Sequence, residues 1–250
     1  MSPAHPQGSN YNWHSFDSQQ ELADALASTI ISQLQAAIAE RGLAVIAFSG
    51  GSTPLSLFDA LASQTWDWSK VIITLVDERW VEKSNTLSNA ALLETNLLDK
   101  LSGNPRFVAL YRNEFSAACT AAAIELVVAD YCNATNTTPR AMAKFDVAIL
   151  GMGDDGHTAS FFPDAQNIAN LLDSKNRLPL LSCHSPSSSV ARVTWSLPIL
   201  LGSAYLALHI VGLNKKNVYN HALQTEDYLQ MPIRSMLFQQ TIQLQVFYCD

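Results

Sequence analysis

The sequence predicts an α/β fold: a mostly parallel sheet covered by helices, in a three-layer, Rossmann-like arrangement. Three observations carry this. Short apolar runs without polar alternation recur at 43–48, 71–76, 145–150 and 206–211. Segments with helical spacing or alanine-rich composition lie between them, and glycine-rich or charged turns follow the runs directly. Continuous apolar strands of this kind are buried on both faces, and their alternation with helices is the pattern of a parallel, covered sheet.

Taken in order, residues 1–15 are polar and are expected to form a flexible tail ahead of one domain spanning 16–250. Leu22, Leu26, Ile30, Leu34 and Ile38 recur every fourth residue, which predicts an amphipathic helix over 20–40. A strand at 43–48, a helix at 54–63 and a strand at 71–76 come next. Helices are expected at 89–101 and 116–131, on either side of a short strand at 107–110. A polar break at 133–139 precedes the strand at 145–150, and 182–189 reads as loop. Strands at 194–195 and 206–211, a helix over 216–223 and a strand at 242–248 complete the chain. Length alone admits one or two domains, but no boundary or internal repeat stands out.

The composition narrows the function. Nearly half of the 250 residues are apolar and the net charge is −7, which opposes a nucleic-acid-binding role. A small anionic ligand needs only a local group of cations, and the chain has 15 Lys plus Arg in all. Cys119, Cys132, Cys183 and Cys249 show neither C-x-x-C nor zinc-finger spacing, so they are expected to be reduced and no metal site is expected. No basic-apolar leader pattern or apolar stretch of about 20 residues is seen. A cytoplasmic protein, monomeric or weakly self-associating and without nucleic-acid or membrane partners, is the expectation.

The densest motif is the run Gly151-Met152-Gly153-Asp154-Asp155-Gly156-His157-Thr158-Ala159-Ser160-Phe161-Phe162-Pro163, placed where the strand at 145–150 ends. Open α/β sheets bind ligands in loops at this end of their strands. The run matches G-x-G-x-x-G by letter. However, Asp154 and Asp155 would stand where a pyrophosphate needs bare N–H groups, and Asp173, at roughly the spacing of a ribose-binding acid, follows no second strand. Asp155 two residues before His157 makes an acid/base pair instead.

Three further segments carry candidate chemistry. Ser49-Gly50-Gly51-Ser52-Thr53-Pro54 joins a strand to a helix, with Thr53 expected at the N-cap and Pro54 at the first helical position. Its N–H groups and hydroxyls form a candidate phosphate cradle, although a plain turn needs much the same residues. It is not a Walker A loop, because no Gly-Lys-Ser/Thr follows. In Asp77-Glu78-Arg79-Trp80-Val81, Arg79 is a candidate to hold an anion or a developing oxyanion, and Asp77 to orient that guanidinium or contact sugar hydroxyls. Arg192 at the start of a strand and Lys215 just past one are candidates for a shared phosphate. His209, inside an apolar strand, is expected to be a satisfied core residue, and His5, His14, His184 and His221 have no comparable setting.

These segments, in this order, resemble the 6-phosphogluconolactonase family, related in fold to glucosamine-6-phosphate deaminases, from about Ala44 to the last strand. The resemblance implies hydrolysis of 6-phosphoglucono-δ-lactone, an ester hydrolysis in the oxidative pentose phosphate pathway, with no metal or organic cofactor. It implies catalytic roles for His157, Asp155, Arg79 and Asp77, and substrate or phosphate contacts from Gly50, Gly51, Ser52, Thr53, Gly153, Arg192 and Lys215. His157 is the expected general base toward water, and no G-x-S-x-G elbow offers a serine nucleophile. Deaminases typically carry Asn-Glu-Pro where this chain has Phe161-Phe162-Pro163, and a Tyr in place of Arg79. A deaminase and a non-catalytic sugar-phosphate sensor remain the alternatives. The region 231–234 matches the family only loosely, and no site residue is carried over from it.

Overall fold

The four apolar runs become the middle of a seven-stranded parallel sheet. The structure, a computed structural model, describes residues 8–115, 118–139 and 144–250. Its strands are β1 (Tyr11–Phe16), β2 (Ala44–Phe48), β3 (Val71–Leu75), β5 (Arg106–Val108), β6 (Val147–Leu150), β9 (Tyr205–Val211) and β10 (Leu244–Cys249). They lie in the order β1-β10-β9-β6-β2-β3-β5, with every neighbouring pair parallel. All residues of β2, β3 and β6 are buried, as strands covered on both faces must be. From β2 the chain winds outward through β3 and β5, then returns to the other side of β2 and winds the opposite way through β6, β9 and β10. The reversal between β2 and β6 creates a crevice at their carboxyl ends.

The first helix, α1 (Gln19–Arg41), starts where the Ser18 hydroxyl accepts the Glu21 N–H and ends at Gly42 in the left-handed conformation, φ 81°. Its 23 residues are long and apolar enough to span a membrane by composition. Here Leu22, Leu26, Ile30 and Leu34 are fully buried and the helix packs against β1, β2, β6, β10 and α2, so its apolar face belongs to the core. The next helix, α2 (Leu55–Ala62), begins one residue later than expected: Pro54 takes the N-cap position and Thr53 does not cap it. Beyond it, α3 (Asn89–Asn96) stops earlier than expected and passes into a 3₁₀ turn at Leu98–Lys100. The helix expected over 116–131 is α4 (Ala121–Thr135), capped by Thr120; residues 116–117 lie outside the described residues.

Residues 11–15, expected in a flexible tail, form β1 together with Phe16, paired with β10 along its length; residues 1–7 lie outside the described residues. Polar side chains hide this strand in the sequence. It is the sheet edge, where only one flank is paired, and it is sealed by Asn12 donating to Gln243 (3.0 Å) and by His14 against Gln245 (2.9 Å).

A second sheet of three antiparallel strands, β4 (Asp77–Arg79), β8 (Arg192–Trp195) and β7 (Leu180–Cys183), was not expected from the sequence. The first of these reads as a charged turn, and the last overlaps the stretch taken as loop. Trp195 ties this sheet to the parallel one: it is fully buried, its indole donates to Leu75 O at 2.8 Å and its backbone N–H to Val76 O at 3.2 Å. Its ring packs on Tyr131 and Phe145, with centroids 4.9 and 5.3 Å away. The remaining short helices are α5 (Ile168–Leu171), α6 (Leu197–Leu201), α7 (Leu213–Ala222) and α8 (Arg234–Leu237).

Trp195→Ala is expected to lower unfolding stability by about 3–5 kcal/mol, read as a reduced urea midpoint at unchanged m-value. A loss under 1 kcal/mol would mean that Trp195 does not join the two sheets.

Candidate active site

The loops after β2 and β6 meet because their strands are neighbours: Ser49 N–H donates to Ile149 O (3.0 Å), and Gly151 N–H donates to the Ser49 hydroxyl (3.2 Å). Around them is a cleft of about 250 Å³, lined by residues 49–54, Asp77, Arg79, Asn89, residues 149–153, His157, Ala159, Arg192, His209 and Lys215. Of the site residues expected from the sequence, Asp155 alone is not in the lining; it stands behind His157.

His157 Nδ1 lies 2.5 Å from Asp155 Oδ1, which also accepts the His157 backbone N–H at 3.0 Å. The carboxylate therefore assigns the tautomer of the neutral ring: Nδ1 is the protonated nitrogen and Nε2 the one with the lone pair. Burial pushes the Asp155 carboxyl up, but the His157 hydrogen bonds and charge outweigh it and hold it below the usual carboxylate value. The loop has no spare room. A Cβ on Gly153 would overlap the His157 ring and the Asp155 carboxylate, and one on Gly156, at φ 77°, would overlap Met231. Ala159 takes a left-handed φ of 50°, local strain stored beside the imidazole. Thr158 Oγ1 donates to Gly151 O at 2.8 Å and closes the loop on itself.

Phe162 stacks on His157, centroids 4.3 Å apart at 30°, and lies under the Arg192 guanidinium, 4.9 Å from the ring centre. The position where the deaminase alternative requires a carboxylate thus holds a ring that bridges imidazole and cation.

The cations come from both sheets. Arg79 and Arg192 sit directly opposite each other in the antiparallel β4–β8 pair. Like charges so placed repel. Asp77, 3.7 Å from Arg192 and accepting the Ser160 hydroxyl at 2.5 Å, supplies the opposing negative charge and weighs more on Arg192 than Arg79 does. Burial holds the Arg192 guanidinium below its usual value, with Asp77 opposing that shift and Arg79 adding to it. On the facing side Lys215 pairs with Asp154 at 2.5 Å, joined by Asn214 at 3.0 Å. Gly51, at φ 91°, turns the loop over the start of α2.

Several residues passed over in the sequence hold this arrangement. Glu78, fully buried, accepts the backbone N–H groups of Arg79 (2.7 Å), Asn89 (2.8 Å) and Ala90 (2.7 Å), clamping β4 to the start of α3. Burial pushes its carboxyl up to about 7 against those donors. Asn89 donates to Asp77 O (3.1 Å), while its Oδ1 has no partner and occupies the space a Gly50 side chain would need. The 231–234 region braces the loop: Ile233 N–H donates to Gly156 O (2.8 Å), and buried Arg234 donates to Ala222 O and Asp227 O, each at 3.0 Å. The sequence signal for these was a buried-type position holding a polar residue, which only packing distinguishes from a surface one.

His209 corrects an expectation. It is buried, but neither ring nitrogen has a hydrogen-bond partner, and burial pushes its pKa down to about 4. Among the described residues no group of three or more His, Cys, Asp or Glu is placed to hold a metal, and the four cysteines are free.

An open parallel sheet here carries a carboxylate-held histidine and facing cations in one cleft at its switch point. Residues 17–245 match the profile of glucosamine-6-phosphate isomerases/6-phosphogluconolactonase. A 6-phosphogluconolactonase of Mesorhizobium japonicum is 42% identical over 230 residues, 92% of each chain. That of Rhizobium meliloti is 40% identical, covering 95% of this chain and 98% of the relative. The crystal structure of a 6-phosphogluconolactonase from Shewanella baltica superposes with a TM-score of 0.87 at 39% identity, covering 96% of this chain and 98% of that one. The chain belongs to the glucosamine-6-phosphate isomerase/6-phosphogluconolactonase family.

Two measurements test the site. Gly153→Ala is expected to break the Asp155–His157 contact, read as loss of the downfield Nδ1 proton resonance with the circular dichroism unchanged; a retained resonance would count against the packing argument. His209 is neutral when folded and titrates near 6.5 when unfolded. Its contribution is therefore complete above about 6.5 and is lost as pH falls through about 4, by about 3 kcal/mol in all. His209→Phe should flatten the stability profile between those values, and an unchanged acid slope would contradict it.

Proposed function

We propose that this chain hydrolyses 6-phosphoglucono-δ-lactone to 6-phosphogluconate, with His157 as general base. The observation that carries the catalytic reading is the 2.5 Å Asp155–His157 contact, which turns a lone pair toward the cleft. The substrate class follows from the family and from relatives at 40–42% identity that act on this lactone.

A δ-lactone is already an activated ester, so the protein has to supply orientation, a base and compensation of charge. His157 Nε2 takes a proton from water as its oxygen bonds to C1. Negative charge passes to the carbonyl oxygen. When that charge returns, the bond from C1 to the ring oxygen breaks and the leaving oxygen receives the proton from His157. Asp155 holds the imidazole and stabilises it while cationic. Arg192, Lys215 and the N–H groups of residues 51–53 bind the phosphate. Arg79 adds positive charge to the same anionic ligand, and Asp77 orients Arg192. For Lys215 to reach a phosphate its contact with Asp154 must loosen, an exchange of one anion for another. A cytoplasmic enzyme without a metal or organic cofactor fits this chemistry and the free cysteines.

The test is lactone hydrolysis by the purified protein, corrected for the spontaneous reaction. His157→Ala should lower kcat by about 10²–10⁴-fold with KM little changed. Near-native turnover by that variant would remove His157 from the mechanism. Ammonia release from glucosamine 6-phosphate by the native protein would move the chain to the deaminase activity.

A further inference from the structure

The parallel register places His209 on the floor of the cleft. Phe48 pairs with Ile149, and Ile149 with Ala207. Continued two residues further, past the ends of β2 and β6, the same row would reach Gly50, Gly151 and His209, all of which line the cleft. The two glycines project nothing, so the imidazole is the single side chain this row presents at the carboxyl edge of β2, β6 and β9. It exposes 2% of its surface, and neither nitrogen meets a protein donor or acceptor. A buried polar group left without partners is costly, and a ligand that supplies them recovers that cost.

The chemistry of the partner follows from the charges around it. Arg79, Arg192 and Lys215 serve the anionic part of a ligand, and His157 is committed to Asp155. An imidazole held neutral by burial brings one N–H donor and one lone pair, which match an alcohol and not a phosphate. We propose that His209 hydrogen-bonds a sugar hydroxyl of the bound substrate and is a specificity residue for the polyhydroxylated part of the ligand. This rests on the lactonase reading for the identity of the sugar.

The experiment uses the full chain and two probes, 6-phosphogluconate and inorganic phosphate. In the native protein the His209 ring nitrogens, assigned by through-bond correlation, should shift in ¹⁵N NMR on saturation with 6-phosphogluconate and stay in place with inorganic phosphate. In His209→Phe, the KM for lactone and the Kd for 6-phosphogluconate should rise roughly 5- to 100-fold, with most of the loss in KM rather than kcat. Inhibition by inorganic phosphate should be retained. Ring resonances unmoved by 6-phosphogluconate would overturn the proposal, as would a variant that loses both ligands equally or neither. The NMR arm needs no variant and no turnover. A native protein that binds 6-phosphogluconate through His209 but leaves the lactone intact would refute the lactonase reading and leave this one standing.

Discussion

The constraint on which the molecule depends is the reversal of winding between β2 and β6. Two parallel strands whose following segments depart in opposite directions leave a gap that no connection crosses. Glycine follows both strands, Gly50 two residues past β2 and Gly151 directly past β6, so little side chain fills the gap. The Gly151-to-Ser49 hydrogen bond holds the two loops together at its base. Everything that faces a ligand hangs from this junction or from strands next to it. Displacing β6 by one residue would turn Ile149 and the glycine that follows it to the other face.

The electrostatics of the cleft set cations and carboxylates close together. Arg79 and Arg192 oppose each other across an antiparallel pair, yet the carboxylates nearby have other duties. Glu78 is spent on the start of α3, Asp155 on His157, and Asp154 on Lys215. Asp77 alone stands between the arginines and the rest, and it also accepts the Ser160 hydroxyl. In a protein of net charge −7, the cations of the cleft thus stand beside carboxylates that are each engaged elsewhere. Phe162 contributes without charge, since its ring keeps the imidazole and the Arg192 guanidinium on a common surface.

Some of the strained and unsatisfied groups border the cleft. Ala159 in a left-handed conformation, the unpaired Asn89 carbonyl and the unpaired His209 ring all border one cavity. Elsewhere the core is built from aliphatic strands, capped helices and aromatic contacts such as the Tyr131–Phe145–Trp195 cluster. That surplus of ordinary packing tolerates a site where backbone and polar groups are held away from their own best arrangements.

What could be read from the sequence was whatever depends on near neighbours. The apolar runs of β2, β3, β6 and β9 announce buried parallel strands because both of their faces need apolar residues. The fourfold spacing of α1 announces a helix, and the acid two residues before His157 announces a pair because the turn between them is short. What only the tertiary structure decided involves residues far apart in the chain. The polar strand β1 is a strand because β10 offers it a free edge. The charged segment 77–79 is a strand because β8, more than a hundred residues later, pairs with it. That same pairing sets Arg79 against Arg192. His209 looked like a satisfied core residue because apolar neighbours surround it in the sequence, but its nitrogens are left without partners where it lines the cleft beside the glycines that follow β2 and β6. Hydrophobic periodicity is a local property, whereas the partner of a buried polar group is fixed only when distant strands come into register.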